Sequence, residues 1–121
     1  MTLDERVPSN SQTISYDPMG DGVTLTTKPL EEEMEVTGPM AAKLYVSSES
    51  LDADLFLVGR SFYPDFKEVV FKGALDPHTP IAQGWLRASH RKLDNALTRP
   101  ERPYHTHDEK QPLNPGEIYE L

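Results

Sequence analysis

The chain has 121 residues, no cysteine, 11 prolines and 7 glycines, and a formal charge of −8 from 20 acidic against 12 basic residues. That length carries one modest core, and the missing cysteines exclude disulfides and thiolate metal sites and lean toward a cytoplasmic location, with secretion of a longer parent left open. The acidic balance argues against nucleic acid or an anionic membrane as partner, since both need a basic footprint.

Residues 1–21 hold Pro8, Pro18 and Gly20 among scattered polar residues and read as a linker or extended arm, ahead of a domain over 22–121. The opening MTLDERVPSNS has acidic residues and no apolar core, unlike a secretory signal, and no apolar run reaches membrane-spanning length. Short candidate strands follow. Val23–Thr27 alternates, Met34 and Val36 repeat the pattern after Glu31-Glu32-Glu33, and Ala42, Leu44 and Val46 form one face of a third run. Leu55–Val58 is continuously apolar, which predicts a strand covered on both sides. Lys67–Lys72, Ile81–His90 and Gly116–Leu121 complete the set. No segment keeps a 3.6-residue apolar period over three turns, and Pro and Gly fall mainly between the runs. The pattern predicts an all-β sandwich or barrel.

Several residues invite a chemical reading. Gly59-Arg60-Ser61-Phe62-Tyr63 imitates the G-x-S-x-G nucleophile elbow, but Tyr63 replaces the last glycine and no amphipathic helix follows. A strand ending in a turn is the better account of Ser61. His105 and His107, with His90 and Asp108, suggest a metal, since two imidazoles on one face suit a borderline ion. No third ligand stands at a fixed spacing, so these histidines are expected to bond nearby backbone instead. Arg87 and Arg91 are expected to pair with Asp52 or Asp54 and fix strand register. Trp85, Tyr45, Tyr63 and Tyr104 could stack on sugar rings, but a core or interface role for Trp85 is the stronger reading. Glu31–Glu33 reads as a solvated turn, as calcium would need more oxygen ligands. No catalytic, cofactor or metal residue is assigned.

The order G-W-L-R-A-S-H-R (84–91), P-Y-H-T-H (103–107) and P-L-N-P-G-E-I-Y-E-L (112–121) resembles the C-terminal non-catalytic domain of X-Pro dipeptidyl-peptidases and CocE/NonD-type serine hydrolases. The stretch 30–48 is similar to that domain's opening strands, so the resemblance covers roughly 22–121. It implies a jelly-roll, galactose-binding-like β-sandwich, incomplete at its C-terminus, packed beside an α/β-hydrolase domain that carries a Ser-Asp-His triad. The implied function is an accessory one: shaping the substrate pocket and stabilising the assembly, with the triad N-terminal to Met1 and the hydrolase domain as partner. A free-standing carbohydrate- or peptide-binding sandwich is the alternative, and a structural homo-oligomerisation domain a third. If further strands are missing, Leu55, Leu57, Val58, Trp85, Leu86 and Ile118 are expected to lie under-covered.

Overall fold

A computed structural model of the chain describes residues 12–121. The chain divides into two units, 1–36 and 37–121. The described part of the first contains no strand. It contains a turn in which Asp17 accepts from the Met19 amide through Oδ1 (2.9 Å) and from the Gly20 amide through its carbonyl (2.9 Å). The expected strands at Val23–Thr27 and Met34–Val36 are therefore not formed. Alternation supplies a face, but a strand also needs a neighbouring strand in register, and no ladder forms over those residues.

The second unit is all-β apart from one 3₁₀ turn. Strand β1 (Tyr45–Val46) pairs antiparallel with β4 (Tyr119–Glu120), and β2 (Asp54–Gly59) with β3 (Ala82–Arg87). The β1/β4 ladder is prolonged by reciprocal amide-to-carbonyl bonds between Leu44 and Leu121, both 2.8 Å. Opposite residues in β2 and β3 run from Asp54↔Arg87 through Phe56↔Trp85 to Gly59↔Ala82. Side chains alternate, so Asp54, Phe56 and Val58 share one face with Arg87, Trp85 and Gln83, and Leu55 and Leu57 share the other with Leu86. The all-β expectation holds, and the two small antiparallel sheets are compatible with a β-sandwich.

The 60–81 connection folds back on itself twice, at the bridges Phe62↔Glu68 and Phe71↔Thr79. Lys67–Lys72 thus contributes two bridges, not the continuous strand its sequence predicts. Gly73 is required here: a Cβ would lie 2.7 Å from the Thr79 hydroxyl and 2.9 Å from the Asp76 carbonyl. The long polar connection after β3 is likewise a hairpin, pinned at Leu93↔His105 and Arg99↔Arg102. Asp94 Oδ1 caps its near end by accepting from the Ala96 and Leu97 amides. Asn114-Pro115-Gly116-Glu117 then turns with proline second and Gly116 third at φ +79, the arrangement of a type II turn.

The deepest packing lies where β3 ends. Ala88 and Leu113 are 0% and 1% exposed, and Ser89 sits beside them at 2%. The Ile81–His90 run stops pairing at Arg87 because a side chain takes over from the ladder. The Ala88 amide still reaches the Ala53 carbonyl (2.8 Å), but the Ser89 amide donates to the Asp52 carboxylate (2.9 Å). Residues 88–90 then coil into the 3₁₀ turn. Leu55–Val58 was expected to be covered on both sides; Phe56, Leu57 and Val58 are instead exposed.

Candidate functional site

Four groups of side chains converge on β3 and the turn that follows it. Asp52 forms the first. Its Oδ1 accepts from the Ala53 and Ser89 amides (3.0 and 2.9 Å), and its Oδ2 from the Ser89 hydroxyl (2.6 Å). Burial raises the cost of its charge, but the two Ser89 bonds, the Ala53 amide and the nearby Arg87 outweigh it and hold the carboxyl below its ordinary value. Arg87 forms the second, a two-pronged pair with Asp54: Nε to Oδ1 at 2.7 Å and Nη2 to Oδ2 at 2.9 Å. The fork was expected from sequence with either aspartate; the register directly opposite selects Asp54. Asp52, Ala53, Asp54 and Arg87 line an open recess of ≈ 220 Å³, below the ~300–1,000 Å³ of small-molecule sites.

Arg91 makes the third. Its guanidinium donates to the carbonyls of Ala88 (3.1 Å) and Gln111 and lies 4.5 Å from the centre of the Tyr119 ring. It therefore fastens the turn after β3 to the C-terminal segment instead of pairing with an aspartate. The Gln111 amide returns a bond to the Ser89 carbonyl (2.7 Å), and the Leu113 amide one to the Leu51 carbonyl (2.8 Å).

The histidines are the fourth. His90 and His107 face each other through Nδ1 at 3.1 Å, while the His105 ring centre stands 6.1 Å from that of His107. The expected bonding of these rings to backbone holds for His105, which meets the Arg91 and His90 backbone although its Nδ1 is buried without a hydrogen-bond partner, but not for His90 and His107, which meet each other. Burial pushes the His105 imidazole below its usual value; the Arg91 and His90 backbone opposes that and the His107 charge adds to it. Asp108 is engaged elsewhere, by the Thr106 hydroxyl (2.5 Å) and Lys92 (3.1 Å).

The outer face of β2 and β3 carries Phe56 and Trp85 in direct register, 75% and 74% exposed. Of the residues expected to lie under-covered if strands are missing, Leu57, Val58 and Ile118 are exposed like Trp85, whereas Leu55 and Leu86 are half-covered. Phe56 was missed in the sequence, since its match to Trp85 emerges only with the register. Tyr45 lies in the other sheet, its hydroxyl on Glu120 (2.8 Å), so the four aromatics considered as a sugar platform are not all on one face. Ser61 follows β2 in the first fold-back, its carbonyl accepting from the Val69 amide (2.8 Å). Among the described residues no side chain hydrogen-bonds its hydroxyl, and no α-helix follows it.

Residues 3–121 match the family described as the X-Pro dipeptidyl-peptidase C-terminal non-catalytic domain. The chain belongs to that family. It is 33% identical over 106 residues to a Mycobacterium bovis protein provisionally named a serine esterase, and equally to a Mycobacterium tuberculosis protein of like name; the match covers 82% of this chain and 15% of each relative. Two crystal structures of a CocE/NonD family hydrolase from Staphylococcus aureus superpose with TM-scores of 0.60 and 0.62, at 33% and 34% identity, over 65% of this chain and 15% of theirs. The chain thus spans about 15% of the length of the curated relatives it matches. Among the described residues no helix is long and apolar enough to cross a membrane.

Proposed function

We propose that this domain serves a serine hydrolase of the CocE/NonD or X-Pro dipeptidyl-peptidase type, as a non-catalytic sandwich that docks on the hydrolase portion and helps wall its substrate pocket. The observation that carries the reading is the family match over nearly the whole chain, whose description is itself non-catalytic. Two further observations support it. The relatives are hydrolases more than six times longer than the matched stretch, so ample chain exists in them to cover an open face. The Phe56/Trp85 face, rimmed by the Asp54–Arg87 fork, has the aromatic and arginine content of an interface centre. In this reading residues 22–121 form the jelly-roll domain, 1–21 are its arm, and the reaction, attack on an acyl, ester or X-Pro carbonyl, belongs to residues of the hydrolase portion. The lack of cysteine fits a cytoplasmic setting.

The test pairs the chain with the catalytic segment of a CocE/NonD hydrolase from which the matched region has been removed. The chain is expected to co-elute with that segment and raise its ester turnover, and Phe56→Glu/Trp85→Glu to abolish both while melting like the wild type. Failure to bind or to raise turnover would overturn the accessory role. Binding that ignores the double variant would reassign the face.

A further inference from the structure

We infer that His90 and His107 form a two-imidazole chelate for an exchangeable borderline divalent ion of the copper(II), nickel(II) or zinc class. The feature lies outside the hydrolase reading and does not depend on it. Three observations meet there. The first is the distance: with metal–nitrogen bonds of about 2.0–2.1 Å, the 3.1 Å between the two Nδ1 atoms corresponds to an angle near 100° at one ion. That value lies between square and tetrahedral geometry, so the spacing suits a single ion that takes the place of the hydrogen bond between the two rings.

The second is preorganisation. His107 holds φ at +53, a left-handed conformation uncommon outside glycine. Its segment is fastened on both sides: the Thr106 amide to the Lys92 carbonyl (3.1 Å), the Gln111 amide to the Ser89 carbonyl (2.7 Å), and Lys92 Nζ to Asp108 (3.1 Å) and Glu109 (3.0 Å). The third is access and charge. His90 is half-buried and His107 exposed, so an ion can enter from solvent. The neighbouring cations are already engaged: Lys92 by Asp108 and Glu109, Arg87 by Asp54, and Arg91 by the Ala88 and Gln111 carbonyls.

Without metal one Nδ1 donates its hydrogen to the other, the tautomers deciding which. With metal each ring carries its proton on Nε2 and offers the Nδ1 lone pair. Among the described residues no set of three His, Cys, Asp or Glu side chains is gathered for an ion. The site is accordingly open, with its other positions left to water or an added ligand. The H-x-H spacing drew attention to the wrong pair: His105 turns into the protein, and the partner of His107 comes from the turn after β3.

The full chain is titrated with copper(II) alone in a non-coordinating buffer, followed by calorimetry, thermal melting and electron paramagnetic resonance. One saturable ion per chain is expected, with a melting point raised by ligand linkage and nitrogen splitting from two imidazoles. His90→Gln and His107→Asn, the latter tolerant of the left-handed backbone, should each lose roughly tenfold or more in affinity through loss of chelation. His78→Gln and His105→Gln should bind as the wild type. Absence of saturable binding, a one-nitrogen or oxygen-only spectrum, or undiminished affinity in His107→Asn would overturn the site. The spectrum decides the matter on the wild type even if a variant fails to fold.

Discussion

Asp52 holds three donors at once, two of them from a residue 37 positions away in sequence, and so ties the approach to β2 to the end of β3. Asp52→Ala would strand the buried Ser89 hydroxyl and amide, and is expected to destabilise the domain by about 1–2 kcal/mol in denaturant titrations. The same carboxylate sets an acid limb. Its folded value lies below its unfolded one, so its contribution is complete above the unfolded value of about 3.9 and is lost as pH falls through the folded value. Stability measured from pH 6 to pH 2 should therefore drop less steeply in Asp52→Ala than in the wild type. Equal slopes would show that Asp52 titrates alike in both states. At this scale the sequence was partly legible. Arg87 with an aspartate could be anticipated, since a guanidinium fork on a strand seeks a carboxylate. The choice of Asp54 could not, because it depends on register, and the Asp52–Ser89 clasp replaces a backbone ladder that alternation alone predicts to continue. Arg91, placed by the sequence opposite an aspartate, instead donates to the Ala88 carbonyl of the 3₁₀ turn and to the Gln111 carbonyl of the C-terminal segment.

At the scale of elements, two features carry different weight. Leu113 is one of three buried residues among those described, with Ala88 and Ser89. Leu113→Ala is expected to cost about 2–4 kcal/mol by lost transfer energy and the cavity left behind, with a clear fall in melting temperature. The β2/β3 outer face behaves in the opposite way. Phe56 and Trp85 are already exposed, so their replacement by glutamate should leave the melt close to wild type while removing a large apolar patch. Strand existence was readable for β2, β3 and the C-terminal run, whose apolar residues find partners. It was misread at Val23–Thr27 and Met34–Val36, where the same alternation builds no ladder with another strand. Periodicity reports a face, and pairing decides whether the face becomes a strand.

For the molecule as a whole, an exposed aromatic face and two-stranded sheets with open edges favour association. Light scattering on the 121-residue chain should show dimers or larger species that revert toward monomer in Phe56→Glu/Trp85→Glu; a monodisperse wild type would show that the face is not sticky on its own. The fold class was legible from short alternating runs between prolines and glycines, and the family from the ordered motifs at 84–91, 103–107 and 112–121. The meeting of His90 with His107 was not, since it depends on how the 93–105 hairpin returns the chain to β3. The central claim is that this domain does no chemistry of its own, and one measurement bears on it most directly: turnover of nitrophenyl esters and of Gly-Pro and Ala-Pro chromogenic peptides by the folded chain. Rates equal to buffer are predicted, because the family is described as non-catalytic and among the described residues no base is hydrogen-bonded to the Ser61 hydroxyl. Turnover above buffer that disappears in Ser61→Ala would contradict the account.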